Sequence, residues 1–120
     1  MVERISLNDY LMGIAFAASA RSTCSRRAVG AVLVKDGRVL ATGYNGSPPG
    51  FIHCFGDGCL FNGACINTVH AEINAIAQSR EIGDSIYCTD TPCLNCFKAL
   101  LAHNPKIKIY WAREYRDAGR

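Results

Sequence analysis

A chain of 120 residues with 49% hydrophobic and 19% charged side chains is long enough for one hydrophobic core and too short for two. That balance excludes a disordered or fibrous chain. The formal net charge of +3 suits a small anionic ligand and falls short of the basic stripe of a dedicated nucleic-acid binder.

Ser6 is placed to cap a first helix that runs to about Arg21, with Leu7, Leu11, Ile14 and Ala18 on one face. The apolar run from Leu11 to Ala20 is the nearest imitation of an export signal. It has no basic leader, since Glu3 and Asp9 outweigh Arg4, and it is far too short to span a membrane. It reads as a core helix. Residues 28–35, with Val29, Val32 and Val34, predict a strand. Asp36-Gly37 is a hairpin turn signal that returns residues 38–44 antiparallel to it.

From Asn45 to roughly Asn67 the chain is rich in Gly, Pro and Cys and has no period. A loop of that length in a compact domain is usually functional or disordered. Three cysteines and His53 argue for an ordered loop tied down by metal. Thr68 is the expected cap of a second helix marked by Val69, Ile73, Ile76 and Ala77, and residues 85–90 read as a strand. Thr91-Pro92 forms a cap-plus-proline start to a third helix ending near His103. Pro105 breaks that helix, and residues 106–111 alternate as a last strand. Helix, hairpin, helix, strand, helix, strand is the order of an α/β layered domain over residues 1–120, without repeats or linkers.

The chemistry sits on two short motifs, His70-Ala71-Glu72 and Pro92-Cys93-Leu94-Asn95-Cys96. One histidine, two thiols three residues apart and a nearby carboxylate are the parts of an open zinc site, whose three protein ligands leave a fourth position for water. Water held there becomes a nucleophile near neutral pH, its pKa falling to about 7. Cys93 and Cys96 share one face at a helix start, where the dipole favours thiolate. In mid-helix His70 and Glu72 would diverge. In a first turn they need not, because a metal lying off the helix end is approached from several azimuths. Two helices are therefore expected to aim their N-termini at one zinc, with His70, Cys93 and Cys96 as ligands. Glu72 is left to carry a proton from the zinc-bound water to a substrate ring nitrogen and then to protonate the departing ammonia. A lone C-x-x-C or helix-start histidine is more often structural. The combination H-x-E…P-C-x-x-C is the signature of zinc-dependent nucleobase deaminases.

Four stretches carry a wider likeness: Thr23-Cys24-Ser25-Arg26-Arg27-Ala28-Val29-Gly30-Ala31, Thr42-Gly43-Tyr44-Asn45-Gly46-Ser47-Pro48-Pro49-Gly50, residues 68–76 around His70, and residues 89–96 around Cys93. With these the chain resembles the cytidine-deaminase-like zinc enzymes, and within them the deoxycytidylate (dCMP) deaminases. The G-Y-N-G-S-P-P-G loop is the specific part, since the whole superfamily shares the zinc motif. The resemblance implies a three-layer cytidine-deaminase-like fold, a mixed sheet of about four strands flanked by helices. It implies hydrolysis of dCMP to dUMP and ammonia, feeding thymidylate synthesis. It also implies that Asn45 contacts the nucleoside sugar and that Tyr115 lies near the substrate. Arg26 and Arg27 stand where a basic residue could meet the 5′-phosphate, a task that suits a guanidinium fork. The plainer readings are a turn residue for Asn45, a solvated loop for the arginines and a surface aromatic for Tyr115.

With seven cysteines, an odd count, and no export signal, metal ligation in a reducing cytoplasm is expected rather than disulfides. Cys24, Cys54, Cys59 and Cys65 lie outside the catalytic motif and number four, enough for a closed structural zinc site. Relatives that carry a second zinc have cysteines matching Cys24 and Cys54 among its ligands. His53 is an alternative to Cys59 or Cys65, and free buried thiols are the plainer reading. Cys88, in a strand, reads as a small core residue. Relatives usually continue past the last strand with another helix and strand, whereas this sequence stops at Arg120, so a sheet edge is left that another subunit could cover. The resemblance further implies a homo-oligomer, often a hexamer, with dCTP and dTTP as effectors. Three rivals remain at this point: a deaminase of another cytosine nucleotide such as dCTP, a tRNA adenosine deaminase, and a non-enzymatic zinc module. The tRNA enzymes usually carry Glu where this chain has Thr91, and a zinc module would have no need of Glu72.

Overall fold

A computed structural model describes residues 3–23, 27–46, 60–61, 64–65 and 69–114. Ser6 does cap the first helix, α1 (Leu7–Ser19), its Oγ accepting from the Asp9 amide at 3.1 Å. The helix stops two residues short of Arg21, and its buried residues are Leu11 and Ala15 rather than the full Leu7–Ala18 stripe. Leu7 stays largely exposed. The reason is a close approach: a Cβ at Gly30 would fall 1.9 Å from the Ala15 carbonyl oxygen, so the contact centres on Ala15.

The hairpin forms as the turn signal requires. β1 (Gly30–Lys35) and β2 (Arg38–Tyr44) pair antiparallel. Asp36 and Gly37 between them have φ of 51° and 76°, the paired positive values of a two-residue type I′ turn. β1 begins at Gly30 and not at Ala28, because the Val29 amide donates to the Asn45 side chain and leaves the ladder. Inside the segment expected to lack regular structure, β3 (Leu60–Phe61) and β4 (Ala64–Cys65) form a two-residue antiparallel pair.

The next helix, α2 (Ala71–Gln78), is capped by His70. Val69 is not its first apolar residue but pairs with Gly46 in an isolated bridge, and Thr68 lies outside the described residues. β5 (Ser85–Asp90) follows as expected. α3 (Leu94–His103) starts two residues later than the Thr91-Pro92 signal predicts, with Cys93 as its cap. The Thr91 amide and hydroxyl are both bonded to the Arg113 carbonyl, which keeps that turn off the helix. β6 (Lys108–Arg113) is likewise displaced from residues 106–111. The Asn104 side chain accepts from the Lys106 amide and its carbonyl accepts from the Ile107 amide, so a turn occupies the expected first residues.

The sheet order is β2-β1-β5-β6, antiparallel except for the parallel β5–β6 pair, which α3 connects. Val32, Val34 and Tyr87 face α1 with Leu11 and Ala15. Ala31, Leu33, Ile86 and Cys88 face the opposite layer, packing with Ala71, Ala75 and Leu100. Three layers result, and β1 is apolar and buried from Gly30 to Val34 because both of its faces are covered there. No helix among the described residues is long and apolar enough to cross a membrane.

Candidate active site

α2 lies directly on the backbone of β2. A Cβ at Gly43 would stand 2.3 Å from the Ala71 carbonyl oxygen and 2.6 Å from the Ala75 amide nitrogen. Asn74 adds a bond from Nδ2 to the Tyr44 carbonyl at 2.7 Å, and the Gly46–Val69 bridge closes the entry to the helix. These contacts set the position of His70 and of the first turn behind it. α3 is held at its far end, where His103 Nε2 accepts from the Gly83 amide and Asn104 Nδ2 donates to the Gly83 carbonyl, each at 2.9 Å.

Both helix starts meet. His70 caps α2 and Cys93 caps α3, each in an extended backbone conformation, and Cys96 stands in the first turn of α3. His70 Nδ1 is 3.1 Å from Cys96 Sγ and 3.4 Å from Cys93 Sγ, and the three ligand atoms all lie within 4.8 Å of one another. Zinc bonds of about 2.1 Å to nitrogen and 2.3 Å to sulfur, set tetrahedrally, separate N from S by about 3.5 Å. The donor set and its spacing therefore fit one zinc ion. Neither thiol is in a disulfide. Glu72, two residues from His70 in the first turn of α2, is fully buried.

Asn45 and Arg27 lie in a network of their own. Asn45 is buried; its Oδ1 accepts from the Val29 amide at 2.8 Å and from Ser22 Oγ at 2.6 Å, and its Nδ2 donates to the Arg27 carbonyl. The side chain thus fastens the strand entry beside the site. Arg27 directs Nε, at 2.6 Å, and Nη2, at 2.5 Å, to Oδ2 of Asp90. Arg113 reaches Oδ1 of the same carboxylate at 2.9 Å, and Thr89 Oγ1 donates to it at 2.7 Å. Burial acts to raise the Asp90 pKa, but the bonds from Thr89, Arg27 and Arg113 and the Arg113 charge outweigh it, holding the group below its ordinary value. Asp90 and Arg113 have no counterpart in the sequence-derived site. In sequence Asp90 reads simply as the last residue of the strand over 85–90, and nothing local betrays its burial. Arg26, Tyr115, Cys24, Cys54 and Cys59 lie outside the described residues, and Cys65 ends β4.

The family model of the cytidine and deoxycytidylate deaminase zinc-binding region matches residues 5–111. The chain belongs to this deaminase family. ComE operon protein 2 of Bacillus subtilis is 42% identical over 121 residues, covering 96% of this chain and 64% of that protein. The deoxycytidylate deaminase of Mycobacterium phage D29 is 38% identical over 125 residues, covering 91% of this chain and 97% of that protein. Among solved structures, the dCMP deaminase of cyanophage S-TIM5 in complex with dCMP and dUMP superposes with a TM-score of 0.79 at 33% identity. That match covers 98% of this chain and 88% of the phage chain. The deaminase fold is accordingly shared in its four-stranded sheet and helical layers. The chain spans less than two thirds of the Bacillus relative.

Proposed function

We propose that this chain is a zinc-dependent deaminase that converts dCMP and water to dUMP and ammonia. The observation that carries the reading is the convergence of His70 Nδ1, Cys93 Sγ and Cys96 Sγ on one metal-sized gap, with the fully buried Glu72 carboxylate two residues from His70. The phage relative named as a deoxycytidylate deaminase and the solved relative holding dCMP and dUMP support the choice of substrate.

His70, Cys93 and Cys96 would hold the zinc, which supplies the Lewis acidity that makes water nucleophilic near neutral pH. Glu72 does the proton work. A carboxylate oxygen takes a proton from the attacking water and gives it to the pyrimidine N3 while oxygen bonds to C4. Glu72 then moves the remaining hydroxyl proton to the amino group, the C4–N bond breaks as the C4 carbonyl forms, and ammonia leaves. Burial of Glu72 keeps bulk water from competing for these protons. Arg26 and Arg27 supply positive charge for the 5′-phosphate, Asn45 orders the strand entry next to the sugar, and Tyr115 contributes to the substrate contacts.

The reading includes a second, structural zinc on Cys24, Cys54, Cys59 and Cys65, a homo-oligomer, regulation by dCTP and dTTP, and a cytoplasmic location, where the thiols of the site stay reduced. Ammonia release from dCMP, dCTP and deoxycytidine, with and without the two effectors, tests the substrate. Glu72→Gln should abolish turnover while zinc remains bound. A zinc-loaded wild-type protein that leaves dCMP untouched would end the proposal. Metal analysis should give two zinc per chain, and a firm value of one removes the second site.

A further inference from the structure

The strongest unexplained feature is the pairing of one buried carboxylate with two arginines. Asp90 is completely shielded from solvent, whereas the side chains of Arg27 and Arg113 are 35% and 48% exposed. A single arginine would neutralise a buried aspartate. The second brings a further guanidinium to the same carboxylate, and both planar groups reach the surface. Arg113 is further pinned by the Phe16 ring, its guanidinium carbon 5.3 Å from the ring centroid.

The place of the cluster matters as much as its charge. Asp90 and Arg113 are register partners at the carboxyl ends of the parallel strands β5 and β6, the end of an α/β sheet where ligands bind. Three residues after Asp90 the chain reaches Cys93. The Arg27 carbonyl accepts from Asn45 and the Arg113 carbonyl accepts from Thr91, so both arginines are also tied by their backbones to segments that frame the metal ligands. Thr89 completes the brace: its Oγ1 donates to Asp90 and accepts from the Gly30 amide at 3.1 Å.

We infer that Asp90 is a positioning residue, bracing Arg27 and Arg113 as a two-armed receptor for the phosphate of the nucleotide, with Arg113 the specificity-determining arm. This rests on the dCMP reading above and adds Asp90 and Arg113 to it. Without the brace, each long arginine would have to be ordered by the phosphate itself, at an entropic cost that weakens binding.

The test uses full-length zinc-loaded protein with Asp90→Asn and Arg113→Gln. Steady-state kinetics are taken on dCMP and deoxycytidine, and calorimetry measures dUMP against deoxyuridine. In both variants the kcat/KM preference for dCMP over deoxycytidine should fall about tenfold or more, through KM for dCMP and not through kcat. Binding of dUMP should weaken by a similar factor, selectively over deoxyuridine. Equal losses on both substrates, or an unchanged preference in Arg113→Gln, would overturn the inference and leave the dCMP reading intact. If Asp90→Asn does not fold, the half-exposed Arg113 carries the test alone. A wild type inactive on dCMP would sink the function proposed above. The receptor would still be judged by whether Arg113→Gln weakens dUMP binding.

Discussion

Replacing Gly43 by alanine should disturb the metal centre from a position that touches none of its ligands. The new Cβ would stand 2.3 Å from the Ala71 carbonyl oxygen, about 1.1 Å short of the 3.4 Å at which ordinary contact begins. It would also stand 2.6 Å from the Ala75 amide nitrogen. Both are backbone atoms and cannot rotate away, so α2 must lift from β2 by roughly an ångström. Overpacking of this kind costs about 2 kcal/mol, a fall of roughly 8 °C in Tm for a domain near this size. The same displacement carries His70 and Glu72 with the helix, and a shift of about 1 Å at a reacting group can cost ~100-fold in rate. Thermal melting by circular dichroism, zinc content and kcat/KM for dCMP read the three consequences together. Gly13→Ala is the control. Nothing lies within 4 Å of the Cβ it adds, so a helix-interior alanine there should leave Tm equal or raise it. An unchanged Tm with full activity in Gly43→Ala would mean that α2 is not seated on that glycine.

Three further outcomes are expected. Because the Asp90 pKa is lowered in the fold, its contribution to stability is present above the unfolded value of about 3.9 and is lost as pH falls through the folded value. Chemical denaturation across pH 2 to 7 (a range set by roughly that pKa) should show an acid limb that Asp90→Asn flattens; an identical limb would contradict the ion-pair account. Asn45→Ala strands the buried Val29 amide and should cost about 1–3 kcal/mol, measured by urea unfolding. Cys96→Ala, or removal of zinc by a chelator, should abolish activity and lower Tm, with readdition of zinc restoring only the chelated wild type.

The parts of the site that were legible in sequence are those whose chemistry is local. His70 and Glu72 lie two residues apart and Cys93 and Cys96 three, so each pair shares one helix start whatever the rest of the chain does. The same locality made the Asp36-Gly37 turn and the Ser6 cap readable, since each depends on bonds closed within a few residues. The starts of α2 and α3 were misplaced for the opposite reason. Thr91 looks like a cap until Arg113, 22 residues later, takes its amide and hydroxyl.

Sequence alone picked out the three residues, His70, Cys93 and Cys96, that could hold a metal, because ligand type and spacing are properties of a short stretch. Tertiary structure alone decided that the two helix starts face each other, that Gly43 must lack a side chain, and that Asp90 gathers Arg27 and Arg113. Those partners stand 63 and 23 residues from Asp90, and only the pairing of β5 with β6 and the path into β1 bring them together. A buried charge is stable only where such distant partners converge, and no periodicity along the chain records that convergence.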